Sequence, residues 1–378
     1  MANTLTGLTV TIFNALDVVS RELTGFIPAV SSDMTYNRAA KGQTVTSPVA
    51  PAATASDITP GVTPPNDGDQ VIGKVDMTIT KARRVPVRWN GEEKLALDNN
   101  GASYNTILRD QFAQAMRTLA NEVEADVAGL AIGASRAVGV AGTTPFATNL
   151  KDSALALKAL QDNGAPKGDL QLVIDTTAGA NMRTLGQLTK ANEANDDSLL
   201  RRGVLLDVHG FAIRESAQVV TPASGTSASA TTNAAGYAVG ATAITLASAG
   251  TGTIVAGDVI TFAGDTNQYV VVSNGGTITL AKPGLRKAIP AAATAITVAP
   301  TSTRNLAFAR SAIALATRIP ALPEGGDSAD DRMIVTDPVS GLSFEIAIYR
   351  QYRQVQYEVS LAWGCAMVKP EHSIILLG

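Results

Sequence analysis

The feature that most constrains the fold is a long apolar stripe at helical spacing, from about Ser103 to Ala131. Its members, separated by 4, 4, 3, 4, 4 and 3 residues, are Leu108, Phe112, Met116, Leu119, Val123, Val127 and Leu130. This spacing predicts an α-helix with one apolar side. Ser103 is suited to cap it, and no glycine or proline interrupts it before Gly129. A helix of ~28 residues is a rod of ~40 Å, which buries one side and leaves the other largely to solvent.

A shorter amphipathic helix is predicted over Thr9–Thr24, before Gly25 and Pro28. Its apolar stripe consists of Ile12, Leu16, Val19 and Leu23. A helix of this length is not stable alone in water, so its apolar side must pack on another surface.

The segment between the two predicted helices is rich in proline and builds no compact core of its own. Its prolines are Pro48, Pro51, Pro60, Pro64 and Pro65. Two runs with strand character flank this stretch, Gln43–Val49 and Val71–Trp89. The pattern predicts a long β-hairpin with a Pro/Gly-rich tip that projects from the body. A loop of this length is either functional or disordered, and the strands on both sides favour a functional loop.

Helices and strands alternate after the long helix. Helices are predicted at Asn149–Asp162 and Thr177–Thr189, and strands at Leu170–Ile174 and Leu205–Arg214. The stretch Ala307–Ala316 is compatible with either type. Leu342–Leu377 alternates apolar and polar residues over most of its length and predicts long C-terminal strands.

Residues 221–300 differ from their surroundings in composition. The block has few charges and repeats short β runs such as AITLAS, DVITFAG and AITVAP between turn signals. This pattern predicts a small antiparallel β-barrel or sandwich, inserted within the α/β sequence.

Composition and motifs exclude several function classes. Lys+Arg 30 against Asp+Glu 33 gives a net charge of −3, without the basic excess typical of nucleic-acid binders. The single cysteine, Cys365, cannot form an intrachain disulfide, and His209 and His372 are far apart in sequence. No phosphate-binding loop, hydrolase elbow or apolar run of ~18 residues occurs. We therefore expect no enzyme activity, no cofactor, no metal and no membrane contact.

One basic cluster remains, formed by Lys81, Arg83, Arg84 and Arg88 at the base of the predicted hairpin. The simplest interpretation is a solvated strand edge. The functional alternative is a set of intersubunit contacts, in which these residues pair with acidic residues of a neighbouring copy.

Several short strings resemble the major capsid (coat) proteins of tailed bacteriophages, whose fold is named after phage Hong Kong 97. They are ANEVEADVAGLA (120–131), LLDVHGFAIRES (205–216), GDVITFAG (257–264) and GCAMVKPEHSIILLG (364–378). The inserted β block is similar to that of the coat proteins of short-tailed Salmonella phages. The resemblance covers nearly the whole chain as an order of elements.

This resemblance implies an α+β fold with an N-terminal arm, an E-loop hairpin, a long spine helix, a P domain and an A domain that carries an inserted antiparallel β-barrel. The implied boundaries are 1–40 for the arm, 41–95 for the E-loop, 96–144 for the P domain with the spine helix, 145–220 and 301–332 for the two parts of the A domain, 221–300 for the inserted domain and 333–378 for the C-terminal P-domain strands.

The function implied is structural. Copies would assemble as pentamers and hexamers into an icosahedral head that encloses double-stranded DNA, touching the DNA only non-specifically. The implied partners are a scaffolding protein and a portal protein, and the implied location is the virion capsid, assembled in the cytoplasm of the host bacterium. Two alternatives stay open: an encapsulin-like shell protein, or another β-rich virion or surface protein such as a tail component or an adhesin.

Overall fold

The computed structural model describes residues 24–50, 55–64, 71–99, 104–189, 205, 207–337 and 340–378. The fold is mixed α+β, as predicted. The helix predicted at Thr9–Thr24 and the proposed cap Ser103 lie outside the described residues.

The helices and strands fall in a fixed order along the chain. The strands are β1 (Ser31–Ala39), β2 (Thr44–Val49), β3 (Gly73–Thr78), β4 (Lys81–Asn90), β5 (Arg136–Val138), β6 (Leu170–Ile174), β7 (Phe211–Glu215), β8 (Ala230–Thr232), β9 (Ala243–Ser248), β10 (Val259–Phe262), β11 (Gln268–Ser273), β12 (Thr277–Leu280), β13 (Ala295–Val298), β14 (Arg304–Ala309), β15 (Ile313–Pro320), β16 (Asp331–Thr336), β17 (Ser343–Gln351), β18 (Gln354–Met367) and β19 (Ser373–Leu377). The α-helices are α1 (Gly91–Asn99), α2 (Tyr104–Gly129), α3 (Lys151–Asp162), α4 (Thr176–Thr184) and α5 (Gly186–Thr189). Short 3-10 turns occupy Leu130–Gly133, Arg310–Ala312 and Pro370–His372.

The long helix α2 packs its apolar stripe on one face of a six-stranded sheet. The strand order is β1-β15-β18-β17-β16, and β4 pairs with the other side of β18. Phe112 of α2 meets Tyr357 of β18 edge to face, with ring centroids 5.5 Å apart. Trp363 is fully buried in the same core. The predicted spacing is thus confirmed, because the stripe lies buried on one side of the helix in the core that includes this sheet.

The hairpin forms, but its second run serves two sheets. Strands β2 and β3 pair antiparallel from Thr44↔Thr78 to Val49↔Gly73. The chain then turns, and β4 pairs with β18 instead, from Lys81↔Trp363 to Asn90↔Gln354. The prediction of a single extended run over Val71–Trp89 is therefore wrong, since the chain breaks into two strands between Thr78 and Lys81.

The second sheet contains a closed barrel. Strands β10-β13-β8-β9-β12-β11 follow one another, and β10 also pairs with β11, which closes six strands into a ring. This confirms a β-barrel inside the block predicted at 221–300. The barrel is continuous with the body, because β11 pairs with β5 and β5 pairs with β19 of the mixed sheet. Its interior has a hydrophobic core of its own, which includes Phe262 and Tyr269.

Two local expectations are corrected by the structure, and one helix was missed. The helix predicted over Thr177–Thr189 is interrupted at Leu185, where the backbone becomes extended. Of the strand predicted over Leu205–Arg214 only the end forms (β7), since His209 has a φ of 53° and turns the chain just before it. Helix α1 was not predicted, because Gly91–Asn99 carries no clear apolar stripe.

Candidate intersubunit interface

The predicted basic cluster lies on β4, and its members divide between the two faces of the strand. Side chains alternate along a strand, so Lys81 and Arg83 point towards α2. Lys81 Nζ lies 2.7 Å from Asp126 Oδ1, and Arg83 Nε lies 3.0 Å from Glu122 Oε2. Two of the four predicted contact residues therefore pair with the long helix of their own chain.

Arg84 and Arg88 project from the opposite, open face of the sheet. Arg84 Nη1 lies 2.7 Å from Glu358 Oε2 on the adjacent strand, and this hydrogen bond raises the pKa of Arg84. Arg88 is exposed and makes no ion pair with any residue that the structure describes. Exposed pairs are worth only about 0–1 kcal/mol, so the paired arginines can exchange partners at little cost. The intersubunit role of all four residues stays a prediction.

A groove of about 670 Å³ lies beside these two arginines. Its lining is polar and rich in amide side chains, among them Asn90, Gln354 and Gln356. Glu93 also lines it, but one of its carboxylate oxygens is committed as an acceptor to the backbone N–H of Asn90, 3.0 Å away. A surface with an arginine and several amides suits an extended polypeptide that carries a carboxylate.

Residues 55–64 and 71–72 of the hairpin loop expose apolar side chains. Ile58 and Val62 are 97% and 105% exposed, and Val71 and Ile72 are 82% and 71% exposed. These are four of the large apolar side chains that the described part of the chain leaves uncovered. An apolar group of this kind on a long extension marks a contact site for another surface.

An acidic loop lies at the other edge of the six-stranded sheet. Residues 321–330 connect β15 to β16, and the acidic side chains of this region are Glu324, Asp327, Asp330 and Asp331. Arg332 forms an ion pair with Asp327, and the hydroxyl of Tyr349 donates a hydrogen bond to the same carboxylate. These contacts lower the pKa of Asp327 to about 2, with the Arg332 hydrogen bond as the main cause.

A buried carboxylate on α2 fixes the N-terminal segment. Glu124 is 1% exposed and accepts backbone N–H groups from three consecutive residues: Gly25 at 2.6 Å, Phe26 at 2.7 Å and Ile27 at 3.0 Å. Burial raises the pKa of Glu124, although these donors and Ser216 act in the opposite direction. Sequence reasoning missed this residue. The available signal was a charged side chain directly beside the apolar stripe, next to Val123.

The other residues considered for chemistry form no reactive group. Among the described residues, no three His, Cys, Asp or Glu side chains are grouped as metal ligands. His209 Nδ1 lies 2.8 Å from the buried Ser153 Oγ, and burial raises the pKa of Cys365 to about 11, which disfavours the reactive thiolate. His372 belongs to a short 3-10 turn. No helix in the described part of the chain is long and apolar enough to span a membrane.

Comparisons with known proteins gave structural likenesses only. No protein-family model and no curated protein matches this chain. A chain of Mycobacterium phage Che8 is similar in structure, with 15% identity, a TM-score of 0.49 and coverage of 90% of this chain and 88% of that one. The capsid structure of the cyanophage P-SCSP1u is similar at 14% identity with a TM-score of 0.46, over 94% of this chain and 88% of that one. A virus-like particle from Pyrococcus furiosus is similar at 10% identity with a TM-score of 0.47, over 98% of this chain and 99% of that one.

Proposed function

We propose that this chain is a shell-building subunit, the major capsid protein of a tailed bacteriophage. The observation that carries the proposal is the hairpin loop, which holds Ile58 and Val62 in solvent, outside the core of its own chain. Burying apolar surface is the dominant favourable term in protein association. An extension that exposes such side chains therefore gains free energy when it lies on another copy.

The rest of the fold supports a repeated subunit. Helix α2 packs one side on the six-stranded sheet and keeps several charged residues on its other side, including Arg109 and Asp110. An exposed basic strand, an acidic loop and a projecting hairpin offer several different surfaces to neighbours. Weak contacts of this kind become strong together, because a closed assembly repeats each of them many times.

The sequence resemblance supplies the finer proposal. In it, 1–40 is the N-terminal arm, 41–95 the E-loop and α2 the spine helix, while the remaining segments form the P and A domains with the barrel inserted in the A domain. Pentamers and hexamers assemble in the host cytoplasm with a scaffolding protein, join a portal protein and enclose double-stranded DNA. A net charge of −3 suits an inner wall that holds DNA only non-specifically.

The loop can be tested by changing its apolar side chains alone. The variant Ile58→Ser/Val62→Ser keeps the fold, because both side chains already lie in solvent. We expect it to lose the closed shells, tubes or sheets that the unaltered chain forms in negative-stain electron microscopy. Val239→Ser is the matched control, since Val239 is 60% exposed but lies on the barrel. Normal particles from the loop variant would contradict the role of the loop.

A further inference from the structure

The six-stranded sheet carries basic residues and acidic residues at edge strands on opposite sides of β18. Strand β4, with Arg84 and Arg88, is the edge strand on one side, and β16, with the loop 321–330, is an edge strand on the other side. Because β18 and β17 separate these two strands, three strand spacings of ~4.8 Å place the two edges ~14 Å apart.

Each edge retains a charge that no ion pair among the described residues neutralises. At the basic edge, Arg88 has no ion pair among the described residues. At the acidic edge, Asp327 pairs with Arg332 and Asp330 lies 3.6 Å from Arg350. By contrast, Glu324 and Asp331 are exposed and have no ion pair with any residue that the structure describes; Asp331 accepts only the backbone N–H of Arg332.

The two edges also differ in form, since one carries a loop with a turn and the other borders a groove. The acidic loop turns at Gly325 and Gly326, whose φ values are 89° and 86°, a conformation that glycine adopts without strain. The turn is closed by a hydrogen bond from the backbone N–H of Gly326 to the carbonyl of Pro323, 3.0 Å away. The basic edge offers the groove of about 670 Å³ beside Arg88, lined by amide side chains such as Gln354 and Gln356. Amide groups can both donate to and accept from the backbone of an inserted loop.

We propose that the loop 321–330 of a second copy, with the adjoining Asp331 of β16, inserts into the groove beside Arg88, so that Glu324 and Asp331 pair with this arginine. The inference rests on the proposed shell function and names the surfaces through which copies meet. The two surfaces are different and lie at opposite edges of one sheet. The contact is therefore head to tail, and a head-to-tail contact closes into a ring when the rotation between copies allows it.

A charge exchange tests the pairing directly. Arg88→Glu alone, and Glu324→Arg/Asp331→Arg together, place like charges against each other across the contact. Each should lower the assembled fraction by about tenfold or more, because the contact recurs in every copy of the ring. The triple variant, which exchanges the charges on the two sides of the contact, should regain most of the assembly of the unaltered chain. Lys167→Glu, an exposed charge reversal away from this sheet, is the control and should assemble normally.

Assembled fraction is measured by sedimentation velocity, and circular dichroism checks that each monomer is folded. Arg88→Gln is a milder second variant, and its assembly should weaken without like-charge repulsion. Normal assembly of Arg88→Glu, or a triple variant no better than its parents, would overturn the inference. Rescue of Arg88→Glu by Asp57→Arg would also overturn it, since the groove would then hold the loop 55–64. If the unaltered chain never assembles, the proposed function itself fails.

Discussion

Glu124 makes the most specific prediction about the stability of the fold. Glu124→Ala removes the acceptor of three backbone N–H groups that lie in the interior of the protein, those of Gly25, Phe26 and Ile27. A buried donor left without a partner costs about 1–3 kcal/mol. The three donors add up to a larger cost, and removal of the buried charge of Glu124 offsets part of it. We expect a net loss of about 3–5 kcal/mol, the range found when one partner of a buried charged contact is removed.

The control for this variant lies two residues away on the same helix. Glu122→Ala is the same chemical change, but Glu122 forms only a partly exposed pair with Arg83. Its loss should cost about 1 kcal/mol or less. The comparison therefore separates the buried contact from the effect of replacing glutamate with alanine in a helix.

Urea denaturation of the unassembled chain, followed by tryptophan fluorescence, is a suitable assay. The protein has two tryptophans, Trp89 and Trp363, and both lie in the sheet that packs on α2. With a denaturant slope of about 2–3 kcal/mol per molar, the midpoint of Glu124→Ala should fall by about 1–2 M. Hydrogen exchange should also show faster exchange of the amides of Gly25, Phe26 and Ile27. Equal midpoints for the two variants, with these amides unchanged, would refute the reasoning.

Two further predictions concern α2 and the six-stranded sheet on which it packs. Because burial raises the pKa of Glu124 in the folded state, its contribution to stability is full below the unfolded pKa of about 4.3 and is lost as the pH rises through the folded pKa. The free energy of unfolding of the unaltered chain minus that of Glu124→Gln should therefore fall as the pH rises above about 4.3 in urea denaturation, and a flat or rising difference would contradict this. At Gly364, an added Cβ would lie 2.1 Å from the carbonyl oxygen of Thr78, so Gly364→Ala should lose about 1–3 kcal/mol. Gly91→Ala, where no atom lies within 4 Å of the added Cβ, should be nearly neutral in the same thermal or urea assay.

Local patterns predicted the parts of the fold that local patterns control. The apolar stripe predicted which side of α2 is buried and nearly predicted where the helix begins and ends, because a helix buries residues at a period that the sequence displays. Alternating β runs between turn signals predicted the barrel, since its strands follow one another closely along the chain. The closure of β10 on β11 and the β5–β11 pairing that joins the barrel to the body needed the structure.

Long-range pairing explains what the sequence did not reveal. The separation of β4 from the hairpin depends on its partner β18, more than 250 residues further along the chain. The role of Glu124 depends on backbone amides, which carry no side-chain signature. The basic cluster was found from composition and position. Its division between the helix side and the open face followed only from the register of β4 against β18.

The central claim is that this chain builds shells, and the most direct measurement is the particle state of the purified, unaltered chain. Sedimentation velocity over a range of protein concentrations, with negative-stain electron microscopy of the same samples, gives both size and shape. A shell-building chain should form large closed shells, tubes or sheets of repeated rings, and should form them more readily as its concentration rises. A folded chain that stays monomeric up to its solubility limit would contradict it.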